Sequence, residues 1–118
     1  MSARQGRVLI IAGSDSGGGA GIQADIKTVT ALGGYAMTAI TAVTVQNTLG
    51  VTNVHAVPPD IVREQIDAVM GDIGADVWKL GMLGSAAHVR AVMEAWYAVG
   101  DGAPVVLDPV MIAKGGAA

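Results

Sequence analysis

The sequence has no cysteine and no phenylalanine, and aromatic residues fill only 3% of its 118 positions. Without cysteine there is no disulfide, no thiolate zinc site and no thiol nucleophile, which is compatible with a reducing cytosol. Charge is scarce as well: 14% of residues are charged, and the formal net charge is −3, with a pI of ≈ 5.0. That balance argues against nucleic acid as a partner, because phosphates require a basic face. The two arginines near the N-terminus precede only a short apolar run, Val8–Ala12. It falls far short of a secretory h-region or the roughly 20 residues of a membrane span. The expectation is a soluble, cytoplasmic protein with no membrane partner. Seventeen Gly and four Pro stay below the level of low-complexity chains, and the glycines lack the collagen period. What is plentiful is apolar: 52% of residues, too many for a disordered chain. A chain of this size buries about two-thirds of its extended surface, enough for one core. Here that core must come from Val, Ala, Ile, Leu and Met.

Strand-like and helix-like segments alternate along the chain. Arg7–Ala12 is a short apolar run suited to a strand covered on both faces. Between Gly21 and Leu32 the period changes, and Ile22, Ile26 and Val29, with Leu32 as a further candidate, form one helical stripe. Gly33-Gly34 stops it. Tyr35–Val45 carries no charge and many β-branched residues, which reads as a long buried strand; Val51–Val57 reads as a weaker edge strand. Pro58-Pro59-Asp60 opens a helix to about Met70, with Val62, Ile66, Val69 and Met70 inward. Asp76–Leu80 is a short strand, and Ser85 caps the next helix. In that helix Val89, Val92, Met93, Trp96 and Tyr97 recur at helical spacing. Pro104–Leu107 is the last strand. The order β-α-β-β-α-β-α-β predicts an α/β fold, a mainly parallel sheet between helices. No helix follows the last strand, and the tail from Lys114 reads as the middle of a loop. Residues 1–118 are therefore expected to be the first part of a longer domain, with an uncovered sheet face if produced alone.

In open α/β sheets, ligands bind beyond the carboxyl ends of the parallel strands. The unusual residues fall there: Gly13-Ser-Asp-Ser-Gly-Gly-Gly-Ala-Gly21, Gln46-Asn-Thr48, Gly81-Met-Leu-Gly84 and Asp108-Pro-Val-Met111. The Gly-rich loop, with the helix start behind it, reads as a cradle of amides for an anion or polar ligand. A P-loop is excluded, since no Lys occurs before Lys27. Gly19–Ala24 matches the loose dinucleotide pattern Gly-x-Gly-x-x-Ala, but the acid expected about 20 residues on is missing. Asp25 either complements the helix dipole or accepts from a ligand hydroxyl or amine. Gln46 offers both donors and an acceptor, which suits a heteroaromatic ring edge. Met82 and Met111 either fill the core or press on a ring. Asp108 is either a turn residue before Pro109 or a carboxylate for metal-bound phosphate. Lys79, in an apolar strand, needs a carboxylate, with Asp15 and Asp108 as candidates. His55 and His88 are read as strand and helix-surface residues without chemistry.

Ile11-Ala-Gly-Ser-Asp-Ser-Gly-Gly-Gly-Ala-Gly-Ile-Gln-Ala-Asp25 resembles the opening signature of the hydroxymethylpyrimidine/phosphomethylpyrimidine kinases of thiamine biosynthesis. Thr41-Ala-Val-Thr-Val-Gln-Asn-Thr48, Lys79-Leu-Gly-Met82 and Val106-Leu-Asp-Pro-Val-Met111 resemble the next motifs in the same order. The resemblance implies a ribokinase-like, three-layer α/β/α sandwich, incomplete in this chain. It implies ATP-dependent phosphorylation of 4-amino-5-hydroxymethyl-2-methylpyrimidine and then of its monophosphate, with Mg2+. By the same resemblance, Gly13, Ala20, Asp25, Gln46, Met82 and Val110 match positions lining the pyrimidine pocket. Asp108 matches the acidic position near the phosphates and Mg2+, directly or through water. Members of the family often pair as dimers, so the resemblance allows a homodimer, which nothing in these residues demands. Members run to roughly twice this length. Their anion hole, the group that activates the substrate hydroxyl, and most of the ATP site lie in the later half, so the piece alone is expected to be inactive. The alternatives are a related pyridoxal-type vitamin kinase, a non-catalytic heterocycle-binding half-domain, and a dinucleotide-binding oxidoreductase.

Overall fold

In the computed structural model, which describes residues 5–108, the apolar run after Arg7 forms the central strand, β1 (Arg7–Asp15). Its side chains alternate between two cores. Leu9 and Ile11 enter the larger one, while Ile10 and Ala12 enter the smaller, as a strand buried on both faces requires. The chain continues through α1 (Gly21–Ala31), β2 (Tyr35–Asn47), β3 (Gly50–Ala56), α2 (Pro59–Asp72), β4 (Val77–Leu80), α3 (Ala86–Val99) and β5 (Val105–Leu107). The predicted order of elements is found, and both leading strands run past their predicted ends.

The sheet order is β3-β2-β1-β4-β5. β1 pairs in parallel with β2 and β4, and β4 with β5; only the edge strand β3 is antiparallel, on β2. Ile22 of α1, backed by Ile26 and Val29, covers one face of the sheet. Val62 and Ile66 of α2, with Val92 and Ala95 of α3, cover the other together with Trp78 of β4. The layers are α/β/α, and the chain leaves β1 in opposite directions toward β2 and β4. Such a reversal opens a crevice at the carboxyl ends of the strands around β1. At the opposite end, Arg7 donates to Asp76 (Nη2 to Oδ1, 3.0 Å) and to the Ile73 carbonyl, tying the start of β1 to the entry of β4.

The alternation in β2 changes phase partway along. Ala12 pairs with Ile40 but Ser14 pairs with Val43, so two steps on β1 match three on β2. This β-bulge shifts the buried set from Met37, Ala39 and Thr41 to Ala42 and Thr44. It turns Val43 and Val45 outward, although their sequence context reads as buried strand.

Two helix readings need correction. α3 is rotated from the predicted stripe: His88, Val92 and Ala95 are buried, with Trp96 and Val99 packed beside them. Val89, Met93 and Tyr97 are exposed, Tyr97 by 80%. Ala95 is fully buried in the larger core, where α3 packs against α2, and so small a side chain is invisible to a search for large apolar residues. His88 is not a surface residue. Its Nδ1 lies 2.6 Å from Ser85 Oγ and its Nε2 2.6 Å from the Val57 carbonyl, so it ties the α3 cap to the segment before α2. Ser85 caps α3 as predicted, accepting from the His88 amide at 3.2 Å. Leu32, the further candidate for the α1 stripe, is exposed beyond the helix end.

Ile66 is fully buried between α2 and the sheet. Ile66→Ala should destabilise the full-length protein by about 2–5 kcal/mol in urea denaturation, through lost transfer energy and the cavity left behind.

Candidate active site at the carboxyl edge of the sheet

The buried carboxylate of Asp15 organises the Gly-rich loop. Oδ1 accepts from the Gly17 amide at 2.7 Å, and Oδ2 accepts from Gly19 at 3.0 Å and Ala20 at 2.8 Å. The Gly18 amide closes a turn on the Asp15 carbonyl at 3.0 Å. These donors were expected to cradle an anion or polar ligand; the chain's own carboxylate already occupies the amides of Gly17, Gly19 and Ala20. Gln23 completes the anchorage. Its Oε1 accepts from the Asp15 amide and its Nε2 donates to Ser14 Oγ, both at 2.8 Å. Gly21 has φ +57°, and a Cβ there would collide with the Gly13 carbonyl, so only glycine lets α1 start this close to β1.

The loop meets the end of β2. Ser16 Oγ donates to the Gln46 carbonyl at 2.5 Å and accepts from the Gln46 amide at 2.8 Å. Thr44 Oγ1 donates to the Ser14 carbonyl at 2.7 Å. Between them lies a cleft of ≈ 150 Å³, walled by Asp15, Gly17, Gly19 and Ala20 on one side and Gln46, Asn47, Thr48 and Gly50 on the other. Met82 joins from the segment after β4: Thr41 Oγ1 donates to its carbonyl at 2.9 Å, and its Cε lies 3.7 Å from where a Gly13 Cβ would stand. A larger hollow, ≈ 480 Å³, sits at the other end of the sheet beside Gln5, Val29 and Leu32, and among the described residues no titratable side chain lines it.

Lys79 forms the second focus of the edge. Its Nζ donates to both oxygens of Asp25 at 2.8 Å and lies 3.7 Å from Asp108 Oδ2. Asp15, one of the two partners expected for Lys79, is committed to the loop instead, and Asp25 takes its place. The Lys79 and Asp25 side chains are 24% and 19% exposed, whereas Asp108 is 61% exposed. Asp108 hangs on the sheet through its amide, which donates to the Leu80 carbonyl at 3.0 Å.

The structure thus brings Ala20 and Gln46 to one cleft, sets Gly13 against Met82, and joins Asp25 to Asp108 through Lys79. Val110 and Met111 lie outside the described residues. Ser16, Gln23 and Thr44 were missed as site residues. Their signal was faint: short polar side chains at strand ends, which hold backbone and neighbouring side chains in place. Among the described residues no group of three or more His, Cys, Asp or Glu is placed to hold a metal, and no helix is long and apolar enough to cross a membrane.

The α/β/α layering with a Gly-rich first loop and a polar carboxyl edge is shared with solved ribokinase-like vitamin kinases. Phosphomethylpyrimidine kinase from Clostridium difficile superposes with a TM-score of 0.85 at 45% identity, over 96% of this chain and 48% of that one. Pyridoxal kinase from Staphylococcus aureus, solved with AMP-PCP and pyridoxal, gives a TM-score of 0.81 at 37% identity, over 93% and 40%. More particularly, the phosphomethylpyrimidine kinase family profile matches residues 15–118, and the chain belongs to that family. The hydroxymethylpyrimidine/phosphomethylpyrimidine kinase of Mycobacterium leprae is 58% identical over 104 residues, which are 88% of this chain and 37% of the relative. The chain spans less than half the length of these relatives.

Two outcomes follow from the Asp15 and Asp25 carboxylates. Lys79→Met leaves Asp25 without its cation and should cost about 1–3 kcal/mol of stability, with Asp25→Asn in the same chain recovering part of the loss in a double-mutant cycle. Asp15→Ala removes the acceptor of three loop amides. Hydrogen exchange at Gly17, Gly19 and Ala20 should then accelerate at least tenfold, while the Ile66 amide in α2 keeps its protection.

Proposed function

We propose that residues 1–118 are the N-terminal part of a single kinase domain. That domain phosphorylates 4-amino-5-hydroxymethyl-2-methylpyrimidine with ATP, and then phosphorylates its monophosphate, in thiamine diphosphate biosynthesis. The observation that carries this reading is the cleft between the Gly-rich loop and Gln46, in a chain of this family. The loop's amides are spent on Asp15, and a buried carboxylate repels phosphate. The cleft therefore suits a neutral, amine-bearing ring rather than the phosphates of a nucleotide, which makes it the acceptor side of the reaction. The same point counts against a dinucleotide pyrophosphate on this loop.

In this reading Gln46 pairs with the ring edge, while Gly13, Ala20 and Met82 lie along the ring. Asp25 sets one wall of the pocket through Lys79. The substrate hydroxyl oxygen attacks the γ-phosphorus of ATP and ADP departs. The described residues bind and orient the acceptor; the group that takes the hydroxyl proton is assigned to the family's later half. Orientation and charge neutralisation carry most of such a transfer. Mg2+ is held by few protein carboxylates, keeps several waters and takes the remaining ligands from phosphate. Asp108, exposed at the carboxyl edge, fits that modest role directly or through water, and Mg2+ there would neutralise charge on the transferring phosphoryl group. We assign the protein to the cytoplasm, as a homodimer with small-molecule partners.

The likeness to pyridoxal kinase supports a second reading with a pyridoxal-type acceptor. The two separate when full-length protein is titrated with each vitamin precursor. The hydroxymethylpyrimidine should bind, and Gln46→Ala should weaken it by about 1–3 kcal/mol. Preference for pyridoxal would select the second reading, and unchanged affinity in Gln46→Ala would remove the assigned role of Gln46.

A further inference from the structure

We propose that Thr44 is a positioning residue that fixes which end of the Gln46 amide faces the cleft. It thereby makes this edge of the pocket select a ring carrying an amine over the same ring carrying a carbonyl. The inference rests on the assignment of the cleft to the acceptor ring.

The argument starts from one proton. Thr44 is 5% exposed, so its hydroxyl has to find partners within the protein. Oγ1 lies 2.7 Å from the Ser14 carbonyl and 3.1 Å from the terminal oxygen of the Gln46 side chain. A hydroxyl donates once, and the Ser14 carbonyl can only accept, so the proton belongs to the shorter contact. Oγ1 then presents lone pairs to Gln46, and an amide oxygen cannot satisfy them. Turning the amide so that Nε2 donates to Oγ1 satisfies every group, and amide orientation follows the hydrogen-bond network. The chain Gln46 Nε2–H to Thr44 Oγ1–H to Ser14 C=O is then directional from end to end. The amide oxygen is left toward the cleft, where it accepts, and the second Nε2 proton remains available beside it.

An acceptor next to a donor complements an exocyclic amine next to a ring nitrogen. It mismatches a lactam edge, which presents a carbonyl next to N–H. Reversing the amide to suit the lactam would set oxygen against oxygen at Thr44. Two features of the chain hold this arrangement. The bulge in β2 turns Thr44 inward, and Ser16 clamps both backbone groups of Gln46, fixing the point from which its side chain leaves the strand.

The test uses full-length protein and two ligands, 4-amino-5-hydroxymethyl-2-methylpyrimidine and its 4-oxo analogue, titrated by calorimetry. Wild type should prefer the amine by at least about tenfold. Thr44→Val, nearly isosteric, frees the amide to turn, and the preference should shrink at least fivefold, mostly by tighter binding of the 4-oxo ring. Thr44→Ser restores the hydroxyl and should restore the preference, which a purely structural role would not require. A folded Thr44→Val protein that keeps the wild-type preference overturns the inference. Wild type that binds neither ligand overturns the assignment of the cleft instead. Should Thr44→Val fail to fold, a nuclear Overhauser contact between a Gln46 Nε2 proton and the Thr44 side chain in wild type decides the matter. Its presence supports the orientation and its absence rejects it.

Discussion

A carboxylate placed where a phosphate is usually looked for decides how this end of the molecule works. Glycine amides gathered at a strand end and a helix start attract negative charge, and in this chain Asp15 supplies that charge internally. The exchange has two consequences. The loop needs no ligand to hold its shape, because three amides are already bound to one buried side chain. The pocket beside it also loses its anion-binding character and keeps small backbone surface, the Gln46 amide and negative potential, a combination suited to hydrogen-bond donors on a neutral ring. Without Asp15 the glycines would gain freedom, and the contacts that bring Ser16 to Gln46 would have no fixed base.

The bulge in β2 does for the opposite wall what Asp15 does for the loop. A regular strand would keep residues of one parity inside, so Val43 and Val45 would be buried while Thr44 and Gln46 faced outward. One extra residue reverses that parity at the level where β1 gives way to the loop. A second irregularity follows directly, with Val45 opposite Asn53 and Gln46 opposite Val51. Bulges concentrate where a strand must re-aim a side chain near a site, and here the re-aimed residues are Gln46 of the cleft wall and the buried Thr44 whose hydroxyl lies against it.

These two devices also mark where the sequence stops being readable. Element order, the edge position of β3, the inward residues of α2 and the Ser85 cap follow from period, β-branching and punctuation, which are local. The meeting of the motif-bearing loops at one rim follows from strand polarity once the sheet is taken as parallel. Phase within an element is a tertiary matter. A single inserted residue in β2 has no compositional mark, and the buried face of α3 centres on small Ala95 rather than on its larger apolar neighbours Val89 and Met93. His88 shows the same limit, since its two ring nitrogens are satisfied by partners 3 and 31 residues away. Charge pairing was half legible: the need of Lys79 for a carboxylate follows from its apolar strand, but choosing among Asp15, Asp25 and Asp108 requires knowing that the loop consumes Asp15.

That choice shapes the electrostatics of the edge. With Asp15 held by amides, Lys79 is left between Asp25, which it binds with two short contacts, and the more exposed Asp108 at a longer distance. Attraction falls with distance and with solvent screening, so the lysine belongs mainly to Asp25. Asp108 keeps most of its negative charge at the rim. The ammonium thus neutralises the carboxylate nearer the core and leaves the outer one available to a cation. One strand residue joins helix α1 to the end of β5, the two elements that border the crevice on either side of β4. Displacing Lys79 would therefore disturb the start of α1 and the rim carboxylate together, although Asp25 and Asp108 stand 83 positions apart in the chain.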